Sequence, residues 1–288
     1  MTRVHSDFYP YRFLNNNFWN ITYIPCEKYI VKGATNDYFM IKKYLNENSI
    51  DKYVIMISFD GFRYDYSNRV DTPNFDYIRD NGVISQSLKP IFPTFTFPNH
   101  YSLVTGCYSN KHKILGNEFY NIDKDEYYSY KKPETVQDGS WYGAEPIWVT
   151  AERQGINTAT YFWVGSEAQI NGYYPKYYRN YKSNVNPRDK VDQVVKWLQL
   201  PLSDRPRLIC LYFNEPDHSG HVYGANSSEV VHQVKESDEI LGYLISSINT
   251  LNFAKNINCL KNPIQDLLLT TKTLNFLPCI SLLHHFQV

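Results

Sequence analysis

Tyr53-Val54-Ile55-Met56-Ile57-Ser58-Phe59 is an apolar run in which no charged residue interrupts the pattern. Its residues do not alternate between apolar and polar, so both faces of the segment call for burial. That is the signature of a parallel strand covered by helices on each side. Asp60-Gly61 follows at the end of the run. Downstream, further apolar strands are expected at Thr158–Phe162 and Leu208–Phe213. Helical patterns lie between and beside them: Thr72-Pro73 to Gly82, Glu145 to Gln154, Pro187 to Leu200 and Ser228 to Thr250. Strands that alternate with helices define an α/β fold with a mostly parallel central sheet.

The 288 residues carry 29 basic and 29 acidic side chains, so no net charge draws the chain to nucleic acid as its main partner. Five cysteines occur without a Cys-x-x-Cys pair, which gives no thiolate zinc site. Met1 to Trp19 contains no apolar core of a signal peptide, and no stretch is long enough for a membrane span. Residues 1–52 read as an N-terminal extension with a short helix near Tyr38–Leu45, 53–258 as the folded domain and 259–288 as an unpatterned tail. Asn20-Ile21-Thr22 and Asn226-Ser227-Ser228 are glycosylation sequons.

Chemistry concentrates in three places. Thr96 precedes Phe97-Pro98-Asn99-His100-Tyr101, a helix start that closes at Gly106. The free N–H groups and partial positive charge of such a terminus favour a phosphate. Thr96 is therefore either a helix cap or a nucleophile. Asp60 is either a turn residue or a ligand at the carboxyl end of a parallel strand, where open α/β sheets place their sites. Asp217 and His221, in Glu215-Pro216-Asp217-His218-Ser219-Gly220-His221, are either a polar loop or a carboxylate–imidazole metal pair, with His218 as an alternative to His221. Metal coordination would activate a hydroxyl such as Thr96 at neutral pH.

Together, Ile57 to Arg63, Thr96 to Tyr101, Glu145 to Glu152, Tyr161 to Ser166 and Pro216 to His221 resemble the nucleotide pyrophosphatase/phosphodiesterase family of the alkaline phosphatase superfamily. The resemblance implies an α/β/α sandwich and hydrolysis of phosphodiester or pyrophosphate bonds in small nucleotides or related diesters. It implies two zinc ions and an extracellular or cell-surface location. By the same resemblance, Thr96 is the nucleophile that forms a covalent phospho-threonine intermediate. Asp60 and Thr96 bind one zinc, and Asp217 and His221 bind the other. Asn117, in Ile114-Leu115-Gly116-Asn117, donates to a phosphate oxygen. Phe97 and Tyr181 sandwich a base, and Trp163 lines the site or packs behind it.

The sequence also departs from the family pattern. Phe95 stands where some nucleotide-cleaving members carry Lys, and Glu118 where a basic residue occurs. Both changes lower the positive charge near the phosphate and disfavour triphosphates. The Asp-His-Gly motif that supplies further zinc ligands has no counterpart after Asn258, and the context of His284 and His285 gives them no ligand role. The expectation is a C-terminally truncated catalytic domain with incomplete zinc binding, its alternative being an inactive variant that at most binds a nucleotide or partner. A sulfatase is disfavoured because the segment around Thr96 lacks a Cys/Ser-x-Pro-x-Arg setting.

Overall fold

The computed structural model describes residues 52–82 and 87–261. The expected helix near Tyr38–Leu45, the sequon at Asn20, and His284 and His285 lie outside the described residues. Among the described residues seven strands and eight α-helices follow in chain order. They are β1 (Tyr53–Phe59), α1 (Pro73–Asn81), α2 (Thr96–Thr105), α3 (Ser109–His112), β2 (Glu118–Asn121), β3 (Glu126–Ser129), α4 (Pro133–Val136) and α5 (Ile147–Arg153). Then come β4 (Thr158–Tyr161), β5 (Tyr177–Arg179), α6 (Pro187–Leu198), β6 (Leu208–Phe213), α7 (Asp217–Tyr223), α8 (Ser228–Asn249) and β7 (Ile257–Lys261).

Five of the strands form one sheet in the order β5-β4-β6-β1-β7, and every pairing in it is parallel. β1 is flanked on both sides. Ile55, Ile57 and Ser58 are fully buried and Met56 and Phe59 nearly so, so consecutive residues are covered on opposite faces, as the unbroken apolar run requires. Helices supply the cover in two groups: α1, α6 and α7 pack against α8, and α2 packs against α3 and α5. The carboxyl ends of β1 and β6 are in register, Ser58 beside Tyr212 and Phe59 beside Phe213, which fixes where their following loops emerge.

Two elements differ from the sequence reading. β7 pairs with β1 from Ile257 through Lys261, so Cys259, Leu260 and Lys261 join the sheet and the boundary expected at 258 moves to the end of the strand. Cys259 is wholly buried, and an apolar side chain at that position suits an in-sheet neighbour of Ile55. The antiparallel hairpin β2–β3 was not expected, because its strands are short and half-exposed.

The helices are seated by specific bonds. Asp238 of α8 accepts from the backbone N–H groups of Asn74 and Phe75, at 3.0 and 2.8 Å, and so closes the N-terminus of α1 with a carboxylate. His112 is fully buried at the end of α3. Its Nδ1 accepts from Ile114 N–H at 3.2 Å, so the neutral ring carries its proton on Nε2, which donates to Ser102 Oγ at 2.8 Å. Burial lowers its pKa to about 4 from 6.5.

Acid should therefore loosen this part of the core. As pH falls below 6.5 the unfolded chain binds a proton at His112 that the folded chain refuses until about 4. Stability is lost across that window, by about 3 kcal/mol at its lower end. Urea melts at several pH values should show His112→Asn with a flatter profile between pH 6.5 and 4 than the wild-type chain; parallel profiles would refute the assignment.

Candidate active site

Thr96 is the first residue of α2, and Phe95 before it occupies the cap position without a side-chain cap bond. The Thr96 hydroxyl makes no hydrogen bond among the described residues. Of the two roles its position allowed, the cap is thus not the one taken. The residues around Thr96 explain the Phe97-Pro98-Asn99-His100 sequence. Buried Asn99 accepts from Ile91 N–H at 2.8 Å and donates to the carbonyls of Phe95 and Pro93 at 3.0 and 3.3 Å, which ties down the lead-in loop. His100, also buried, has Nδ1 2.8 Å from the Thr96 carbonyl and Nε2 2.9 Å from Ser58 Oγ. Nδ1–H donates to the carbonyl and Ser58 donates to Nε2, so the first turn of α2 is fastened to the end of β1.

Asp60 follows β1 and is completely buried. Its Oδ1 accepts from Gly61 N–H at 3.0 Å and its Oδ2 from the Tyr212 hydroxyl at 2.7 Å. Burial and the negative charge of Asp60 raise the Tyr212 pKa far above its ordinary value, so the phenol stays a donor. The Tyr212 ring also meets His100 edge-on at 5.0 Å, linking the Asp60 and Thr96 sides of the cleft. Buried Lys190 of α6 donates to the Tyr212 carbonyl at 3.2 Å and lies over the Phe162 and Phe213 rings at 4.9 and 5.1 Å. Burial brings that ammonium down to about 8, a cost borne to hold the end of β6. Tyr212 was missed in the sequence because a tyrosine inside Leu208–Phe213 reads as core; only its register opposite Ser58 reveals it.

Asp217 opens α7 and His221 lies one turn on, with Nε2 3.5 Å from Asp217 Oδ2. The two residues share a helix face, whereas His218 faces the α8 side with Tyr223, Glu229 and His232. That geometry favours His221 as the partner of Asp217. Asp217 N–H donates to the Asp60 carbonyl at 2.9 Å, so the two carboxylates are held close through the backbone. Burial first, then the charges of Asp60 and Glu215, push the Asp217 carboxyl well above the usual carboxylate range. Glu215 thus belongs to the same acidic group, although sequence reading passed over it as a loop residue.

The walls are aromatic and amide. Asn117 Oδ1 accepts from Phe97 N–H at 3.0 Å, which leaves its Nδ2 without a hydrogen-bond partner among the described residues. Phe97 packs at 5.8 Å from Tyr130 and 6.2 Å from Tyr128. Tyr181 is half-exposed and packs on Phe162 at 5.2 Å. Burial, then the charges of Asp60, Tyr130 and Glu215, raise its pKa. Trp163 is 2% exposed, donates to the His100 carbonyl at 3.1 Å and packs edge-on against the His100 ring. It packs behind the site. Glu118 turns to Ser129 Oγ and Lys131, at 2.8 and 3.5 Å.

Carboxylate, imidazole and hydroxyl are the donor types of a zinc site. In number the set falls short: among the described residues no group of three or more His, Cys, Asp or Glu could hold a metal ion.

A parallel α/β sheet thus carries a threonine-headed helix and an acidic pair at the carboxyl ends of its strands. The chain belongs to the type I phosphodiesterase/nucleotide pyrophosphatase family, whose model matches residues 54–260. It is 39% identical over 206 residues to human ectonucleotide pyrophosphatase/phosphodiesterase family member 1 and 37% identical over 207 residues to venom phosphodiesterase 2 of Crotalus adamanteus. These matches cover 71% of this chain but 22% and 25% of those proteins, so the chain spans about a quarter of the curated relatives it matches. Murine ectonucleotide pyrophosphatase/phosphodiesterase 5, solved as an inactive Thr→Ala variant in complex with AMP, superposes with a TM-score of 0.68 at 34% identity. The match covers 72% of this chain and 55% of that one. Among the described residues no helix is long and apolar enough to cross a membrane.

Proposed function

We propose that this chain carries the nucleophile half of a phosphodiesterase/pyrophosphatase active site that acts on small nucleotides or related diesters. The observation that carries this reading is the Thr96 hydroxyl: it stands at the head of α2, makes no cap bond, and sits on a turn that His100 fastens to Ser58, two residues before the buried Asp60. The murine relative inactivated by a Thr→Ala change and bound to AMP supports it. The names of the relatives, ectonucleotide and venom enzymes, support an extracellular setting.

In this reading Thr96 Oγ1 attacks phosphorus, the leaving oxygen departs, and a threonine-linked phosphoester forms that water later cleaves. The Thr96 N–H at the head of α2 and the Nδ2 amide of Asn117 stabilise the non-bridging oxygens, while the Phe97 N–H is spent on holding Asn117 Oδ1. Phe97 and Tyr181 hold the base between aromatic walls. Asp60 with Thr96, and Asp217 with His221, would hold two zinc ions, which when bound lower the cost of an alkoxide and offset phosphate charge. Two zinc ions take about six or more protein donors, so a complete site draws on donors beyond the described residues. The same shortfall favours a second reading, in which the chain binds a nucleotide without turning it over.

Zinc titration with thermal melts separates metal capture from its absence. At about 100 times the dissociation constant, zinc should stabilise the folded chain by about 2.7 kcal/mol, a rise on the order of 5 °C or more. Asp217→Asn should lose that rise. An unchanged melting temperature in wild-type chain would contradict metal binding at Asp60 and Asp217.

A further inference from the structure

The sequon Asn226-Ser227-Ser228 plays no part in the site, yet its surroundings are well built. Asn226 is exposed, immediately before Ser227, the residue that caps α8 by accepting from Val230 N–H at 3.2 Å. Asn226 Oδ1 accepts from Arg69 Nη1 at 2.6 Å and from Arg63 Nη2 at 3.2 Å. Both arginines are fixed in turn by Asp65, at 2.6 Å to Arg63 and 2.8 Å to Arg69. The Tyr66 hydroxyl donates to the neighbouring Ala225 carbonyl at 2.9 Å, so the turn is pinned on both sides of the peptide.

This clamp decides which way the amide points. Guanidinium groups only donate, so the oxygen must face them and Nδ2 must face away. Nδ2 has no hydrogen-bond partner among the described residues. The fold therefore uses the atom that a glycan leaves alone and presents to solvent the atom that a glycan takes.

We propose that Asn226 is an N-glycan attachment site of this chain. The proposal rests on the extracellular setting argued above and not on catalysis. In the transfer, Nδ2 loses one proton and bonds to the anomeric carbon of a lipid-diphosphate-linked oligosaccharide. The bond from that carbon to the diphosphate oxygen breaks, and the lipid diphosphate leaves. Oδ1 keeps its two arginine donors, so the modified chain folds unchanged. The glycan then stands over the turn between α7, which bears Asp217 and His221, and the head of α8.

The test is expression of the full chain behind a cleavable secretion leader in glycosylating cells, in an Asn20→Gln background that leaves Asn226 the sequon under study. Peptide mass analysis should find the Asn226 peptide glycosylated, and an N-glycan-cleaving amidase should release that glycan without denaturant. Ser228→Ala, which spares the arginine contacts, should abolish the modification. An unmodified Asn226 peptide in leader-cleaved chain overturns the proposal whether or not the chain hydrolyses any diester. A glycan released only after denaturation overturns the outward orientation of Nδ2.

Discussion

Gly61→Ala should destabilise the chain by roughly 2–5 kcal/mol and collapse the site with it. Gly61 has φ +66°, a left-handed conformation that costs a side-chain-bearing residue about 1–2 kcal/mol. A Cβ there would also lie 2.4 Å from Asp217 Cα and 2.7 Å from Asp217 N. Those are backbone atoms, which cannot rotate aside, and overpacking of this kind adds about 1–3 kcal/mol. The loop after β6 would be driven off the loop after β1, breaking the 2.9 Å bond from Asp217 N–H to the Asp60 carbonyl. Denaturant melts measure the loss directly. A Gly61→Ala chain as stable as wild type would show that the close approach of these two loops is not what holds Asp60 and Asp217 together.

Thr96→Ala should do the opposite: leave stability nearly unchanged and remove catalysis. Loss of a true capping threonine costs about 1 kcal/mol, but Thr96 lies one residue inside the helix and its hydroxyl makes no cap bond. Its melting point should therefore stay within a degree or two of wild type, by the usual scaling of stability to temperature. Any diester hydrolysis by the chain should fall by at least about 10³-fold, the scale expected when a nucleophile is deleted. A mutant that loses stability and keeps turnover would restore the cap reading.

The sheet was legible because its strands leave little choice. An unbroken apolar run such as Tyr53–Phe59 fits only a strand covered on both faces, and that burial is observed. The head of α2 was legible from Pro98 and Gly106, and only the resemblance favoured nucleophile over cap for Thr96; local pattern could not show that the cap position falls one residue earlier, on Phe95. The Asp217–His221 spacing left open a polar loop or a metal pair; the segment is helical, and the four-residue spacing brings the two side chains to one face of α7. Tyr212 and Glu215 escaped notice for a different reason. Their roles come from register across the sheet and from the proximity of two loops distant in sequence, and neither leaves a local pattern. The end of β7 was hidden by its position: Cys259 to Lys261 look unpatterned alone and become a strand only beside β1. The five strands of the sheet bring Asp60 and Asp217 to one edge, and the same edge is where β7 ends next to β1.

Hydrolysis of the p-nitrophenyl ester of thymidine monophosphate tests the central claim most directly, with wild-type chain and Thr96→Ala each assayed in zinc and in chelator. Nitrophenolate release that needs zinc and disappears with the Thr96 hydroxyl is the predicted result. Equal turnover by Thr96→Ala, or no turnover by a folded, zinc-exposed wild-type chain, would contradict it.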